Sequence, residues 1–134
     1  MPNKAKVVAA YLDGRRLKGY TNDFSPARDH FYLFPEGADA ATGGRGTAIR
    51  LAELKALFFV KDFAGDPTRI PTSNEVSQPG KKIEISFRDG EKLTGFSVAF
   101  NPKAAGFFLQ PADARGNNER IFIVNRNAKQ IRVI

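Results

Sequence analysis

Five cationic side chains crowd the end of this 134-residue chain, where Arg115, Arg120, Arg126, Lys129 and Arg132 stand against Glu119 alone. Asn117, Asn118, Asn125 and Asn127 are interleaved with them. Planar guanidinium forks and amide donors are the groups that hold phosphates and read base edges. The stretch therefore nominates Arg115, Arg120, Arg126 and Arg132, with Asn118 and Asn125, as a nucleic-acid-binding surface. The whole chain is basic, with 21 Lys and Arg against 14 Asp and Glu for a net charge of +7. Residues 68–134 carry +5 of that, from eleven cations and six anions.

Other chemistry has fewer candidates. The chain has one histidine, His30, and no cysteine, so disulfides, thiolate metal sites and thiol nucleophiles are excluded. Asp29 adjoins His30, and strand alternation would turn it to the opposite face, leaving the imidazole without the partner that orients a general base. Asp13 and Asp89 are accounted for by turns, and Gly43-Gly44-Arg45-Gly46 lacks the Lys-Ser/Thr of a phosphate loop and reads as a loop tip. No catalytic residue, cofactor or metal site is expected. No apolar run approaches the roughly 20 residues of a membrane span and no signal segment is evident, so a soluble, cytoplasmic protein is expected.

The elements that must place these residues come from a repeat. At an offset of 76, Asp13/Asp89, Gly14/Gly90, Leu17/Leu93, Gly19/Gly95, Phe24/Phe100, Pro26/Pro102, Phe31/Phe107, Leu33/Leu109 and Pro35/Pro111 are identical, nine of the 23 positions in 13–35. Unrelated segments would share about one or two. The match resumes at offset 74, pairing Ile49 with Ile123, Lys55 with Lys129 and Leu57 with Ile131. Two units follow, 1–62 and 81–134, joined by a linker at 63–80 that contains Pro67, Pro71 and Pro79.

Ile83, Ile85 and Phe87 alternate with polar residues, as in a half-buried strand, and Val7, Ala9 and Tyr11 match them. Both strands end in Asp-Gly, the signal of a type I′ hairpin turn. Each second strand carries a glycine, Gly19 or Gly95, where the sheet can bend sharply. Further strands are expected at 30–34, 47–51 and 54–60, and again at 106–110, 120–124 and 128–134, with one helical turn near Ala52 and Glu53. The fourth and fifth strands of the second unit would form a closing hairpin that gathers its arginines. Phe58, Phe59, Phe107, Phe108 and Phe122 exceed what one side of a small sheet can bury, so part of this set should seal the two units together.

The pattern of Asp13, Gly14, Leu17, Gly19 and Phe24, repeated at Asp89, Gly90, Leu93, Gly95 and Phe100, resembles the first motif of the Sm and Sm-like family. The resemblance implies small, strongly bent five-stranded barrels, many of which bind RNA and form rings. It covers about half of each unit. Where that motif has Asp and Asn after the Phe, this chain has Ser25 and Asp29, then Asn101 and Ala105. The turns at Ala52-Glu53 and Asn125-Arg126-Asn127 lack the family's second Arg-Gly motif, so neither its uridine pocket nor its rings are carried over. Residues 23–33 and 54–60 are also similar to uncharacterised bacterial proteins with tandem small barrels. Asp23-Phe24-Ser25 matches Asp-x-Ser of the cyclic di-GMP-binding PilZ motif, but Arg28 replaces its glycine and the upstream Arg-x-x-x-Arg is missing.

The expected architecture is all-β, two tandem Sm-like small barrels packed on each other. The expected function is a non-enzymatic binding module whose second barrel takes single-stranded nucleic acid or another polyanion, with Tyr20 or Phe96 available for stacking. The alternative is a protein-protein interaction adaptor in bacterial regulation or signalling. A small anionic ligand such as a nucleotide messenger is a third reading. Oligomeric state is left open.

Overall fold

Period-2 alternation produces strands throughout. A computed structural model describes residues 4–35, 46–61, 79–112 and 118–134. The first repeat contributes β1 (Ala5–Tyr11), β2 (Arg16–Thr21), β3 (His30–Pro35), β4 (Thr47–Arg50) and β5 (Leu54–Val60). The second contributes β6 (Lys81–Ser86), β7 (Lys92–Ser97), β8 (Gly106–Pro111), β9 (Asn118–Val124) and β10 (Gln130–Val133). Single 3-10 turns at Leu51–Glu53 and Asn125–Asn127 lead into β5 and β10, matching the one helical turn expected near Ala52. Among the described residues no helix is long and apolar enough to cross a membrane. Most of the linker expected at 63–80, and Gly43, Gly44 and Arg45 of the glycine-rich stretch, lie outside the described residues.

The strands form one open antiparallel sheet in the order β10-β6-β7-β8-β9-β5-β1-β2-β3-β4. Each repeat thus keeps the same internal order, fifth strand, first, second, third, fourth. The expected closing hairpin is absent, because β9 pairs with β8 and β5 while β10 pairs with β6. The 3-10 turn between β9 and β10 redirects the chain to the far side of its own repeat. The seam between repeats is likewise a strand pairing, with Leu57 opposite Phe122 and Phe58 opposite Ile121.

That pairing explains the surplus of phenylalanines. All seven residues of β5 are buried, which requires cover on both faces. On one face Val7, Ala9, Leu57 and Phe59 pack with Phe31, Leu33 and Ile49, joined by Phe122 from the second repeat. On the other, Val8, Ala10, Ala56 and Phe58 of the first repeat pack with Ile83, Ile85, Phe107 and Leu109 of the second. Phe58 therefore completes the second repeat's core, Phe122 and Phe108 complete the first's, and Phe59 and Phe107 stay at home.

The unpaired edges, β4 and β10, differ from the joined ones in composition. Ala48 and Arg132 stand where the offset of 74 places Phe122 and Phe58. A charge and a small side chain discourage another strand from adding at either edge.

Both Asp-Gly hairpins depart from the expected type I′ turn. Gly14 and Gly90 have φ of +93° and +91°, whereas no other residue type takes positive φ among the described residues. Gly14 N–H donates to Tyr11 C=O and Tyr11 N–H to Arg15 C=O. The loop is a three-residue turn with glycine alone in the left-handed position, which spares Leu12 and Asp13 that strain.

Lys55 staples the repeats together. It sits on β5 at 5% exposure and donates from Nζ to Asp89 Oδ2 at 2.6 Å and to Glu91 Oε1 at 2.7 Å in the second hairpin. Burial pulls the ammonium pKa down, yet hydrogen bonds to Asp89 and Glu91 outweigh it and leave a net rise. The same bond from Lys55 holds the Asp89 carboxyl below the usual range. A depressed carboxylate stabilises the fold above its unfolded pKa and loses that contribution as pH falls through the folded value. Lys55→Met should therefore lower the melting temperature by several degrees at pH 7, and the gap from wild type should close as pH drops below about 4. Thermal melts across pH 2–8 check this; a gap unchanged at pH 2 would show that the ion pairs contribute nothing.

Candidate nucleic-acid interface

The basic residues of the second repeat divide by what already holds them. Arg132, on β10, donates from Nη2 to Glu84 Oε1 at 2.9 Å across the β6–β10 pair and is already neutralised. Asn125 spends its amide on the fold, donating from Nδ2 to Asn101 C=O at 2.9 Å and Ala104 C=O at 3.0 Å. Its Oδ1 is buried without a partner among the described residues. Asn127 donates to Ala52 C=O and Leu54 C=O, so it ties the second repeat to the first. Asn118 lies at the start of β9, opposite Val60 where the register shifts. Arg115 lies outside the described residues. Arg126 is exposed on the 3-10 turn, and β9 separates it from Arg120 by at least about 13 Å of extended chain. Among the described residues the structure does not gather Arg120, Arg126 and Arg132 into one cluster.

Arg120 is the exception. It is exposed on β9, and its guanidinium lies 4.4 Å from the centroids of both Phe59 and Phe108. Among the described residues no carboxylate approaches it within ion-pair distance. Alternation along β9 buries Phe122 and Val124 on the same face, while Arg120 sits where that face meets solvent. Two aromatic rings present their π faces to the cation without accepting its N–H groups as a carboxylate would, so donors remain for a ligand. Phe108 also lines a cleft of about 450 Å³ with Pro79, Ser97, Val98, Ala99 and Gln110, and Val98 is 80% exposed. An apolar slot thus adjoins a fixed, unpaired cation. The sequence singles out Arg120 but not the cleft, because it places Phe108 among the phenylalanines of the seam and gives Val98 no role.

The stacking candidates change as well. Phe96 is buried at 7% exposure, and Tyr20 is partly covered beneath Lys4 Nζ at 4.2 Å. Among the described residues the exposed aromatic on a strand is Tyr32, at 41%.

Tyr32 belongs to a second cleft, of about 550 Å³, lined by Asp29, His30, Tyr32, Ala48, Arg50 and Ala52. Here the expected separation of Asp29 from His30 fails, since His30 Nδ1–H donates to Asp29 Oδ1 at 2.7 Å. Asp29 precedes β3, where the chain is still bending, so strand alternation does not govern its direction. That hydrogen bond from His30 holds the Asp29 carboxyl below its usual range. Among the described residues the lining offers no serine or threonine for the imidazole to activate. Among the described residues no cluster of His, Asp and Glu could hold a metal ion.

Residues 3–134 match a family of unknown function, DUF6982, and the chain belongs to it. No curated protein matches the chain, and no solved structure does.

Proposed function

We propose that this member of a family of unknown function is a non-enzymatic binding module for single-stranded nucleic acid, built as two Sm-like small barrels that share strands β5 and β9. The observation that carries the reading is Arg120, stacked on Phe59 and Phe108 with no carboxylate partner among the described residues. A phosphate takes the free guanidinium edge in two parallel hydrogen bonds. A base enters the adjoining cleft against Phe108 and Val98, where stacking on an aromatic side chain is worth about 1–3 kcal/mol. The net charge of +7 supplies attraction for any polyanion. A protein-protein interaction adaptor is the alternative, and exposed Val133 and Ile134 beside the open β10 edge are the feature it would use.

Fluorescence anisotropy with a labelled oligouridylate in graded salt tests the proposal. Wild type should bind at 50 mM salt and weaken as salt rises. Arg120→Glu should weaken binding at least about tenfold, as expected for a lost charge-assisted phosphate contact. Arg132→Gln should weaken it far less, through net charge alone, because Glu84 already pairs with Arg132. No binding at 50 mM salt, or equal binding by wild type and Arg120→Glu, would remove the proposal. Stoichiometric capture of one protein after nuclease treatment would favour the adaptor reading.

A further inference from the structure

The outer face of the β3–β4 pair carries a second arrangement of cationic and aromatic groups, separate from Arg120. Phe31, Leu33 and Ile49 point into the core, so alternation turns His30, Tyr32, Ala48 and Arg50 outward together. His30 lies directly opposite Arg50, and Tyr32 opposite Ala48. Opposed residues have Cβ atoms about 5 Å apart, so the imidazole and guanidinium share one short span. Ala48 fills little of the space beside the Tyr32 ring, and Ala52 little beyond it.

The orientation of the imidazole is set by two contacts. Nδ1–H is committed to Asp29 at 2.7 Å, and the ring meets Tyr32 edge-on at 5.7 Å and 84°. Nε2 is left as the nitrogen free for a ligand. Arg50 has no ion pair among the described residues. We propose that this cleft is a phosphomonoester site, in which Arg50 and protonated His30 bind the phosphate and the exposed Tyr32 ring packs against the group it is attached to.

Charge counting gives the site its character. Among the described residues, the charged and titratable groups facing His30 are Asp29, Arg50 and Tyr32. With a neutral imidazole the Asp29 and Arg50 charges cancel, and with a protonated one the cleft carries +1. An anion therefore binds with uptake of a proton at the imidazole, and binding strengthens as pH falls. Linkage makes the effect reciprocal, so a bound dianion raises the proton affinity of His30 by the same factor.

Because His30 is the sole histidine, its imidazole proton resonances are a unique probe in the full, untagged chain. Their titration midpoint is to be measured alone, with inorganic sulfate, with adenosine 5′-monophosphate and with adenosine. Sulfate remains a dianion from pH 5 to 8, so any response belongs to the protein. Sulfate and the monophosphate should raise the midpoint by about half a unit, a roughly threefold preference for the protonated site, and adenosine should not. Arg50→Gln should abolish the shift while the resonances keep their folded dispersion, and Arg120→Glu should preserve it. An unchanged midpoint at 50 mM monophosphate overturns the proposal. So does a shift that survives Arg50→Gln and disappears in Arg120→Glu, which would place the anion at the other cleft and leave the nucleic-acid reading intact. A larger response to a 5′-phosphorylated oligonucleotide than to its 5′-hydroxyl twin and to the free monophosphate would identify the strand end as the source of the phosphate. An equal response to the free monophosphate would identify the small molecule.

Discussion

Gly95→Ala is expected to cost about 3 kcal/mol, the upper end of overpacking penalties, although it adds a single methyl group. Gly95 lies on β7 between Ile83 of β6 and Pro111 of β8. A Cβ there would collide with the Gln110 carbonyl oxygen and come within 2.8 Å of Leu109 Cγ. Leu109 is fully buried and the carbonyl is backbone, so neither can yield cheaply. Gly19 occupies the same place in the first repeat, where a Cβ would collide with Phe34 C=O and approach Leu33 Cγ at 3.0 Å. Neither glycine has positive φ, so close strand approach is the constraint, not handedness. The hairpin glycines provide the contrast. Gly14 and Gly90 have open space around a notional Cβ but left-handed backbone, which should cost alanine about 1–2 kcal/mol. Urea denaturation of the four alanine variants should rank Gly95 and Gly19 well above Gly90 and Gly14. A Gly95→Ala midpoint equal to wild type would mean that β7 and β8 can separate without loss.

Those glycines mark how far the sequence speaks. Their recurrence at an offset of 76 located the second strand of each repeat, and each glycine faces the third strand across a pairing only two residues long. Alternation was legible in β6, which is buried on one face, and uninformative in β5, which is buried on both. The pairing of β5 with β9 escaped the sequence because it is a contact between repeats, and self-similarity describes each repeat alone. The nominated arginines and asparagines were chosen by residue type. Type cannot distinguish Arg120, whose guanidinium lies on two rings, from Arg132, which is paired with Glu84, or from Asn125, whose donors anchor the turn at 101–104. The Asp29–His30 bond was missed for a related reason, since a period-2 argument holds only inside a strand and Asp29 lies just outside one.

The exchange of core residues between repeats leads to the second large expected effect. Phe122→Ala should destabilise the first repeat, although residue 122 belongs to the second. The Phe122 ring is 1% exposed, packs edge-to-face on Phe24 at 5.1 Å and on Phe108 at 5.2 Å, and belongs to the core that holds Phe31 and Phe59. Removing it leaves a cavity costing about 3–5 kcal/mol, a large share of the 5–15 kcal/mol typical of a domain. The tyrosines provide a selective readout, because Tyr11, Tyr20 and Tyr32 all lie in the first repeat and the chain has no tryptophan. Tyrosine fluorescence reports the first repeat, while far-ultraviolet circular dichroism reports both. In wild type the two signals should melt together, as a cooperative transition requires. In Phe122→Ala both should move down together by about 10 °C or more, given several kcal/mol and a shift of about 3–5 °C per kcal/mol at this chain length. Independently folding repeats would instead leave the tyrosine transition at its wild-type temperature while part of the dichroism melts early. That separation would contradict the shared core, since Phe58 and Phe122 could not then be contributing across the β5–β9 pairing.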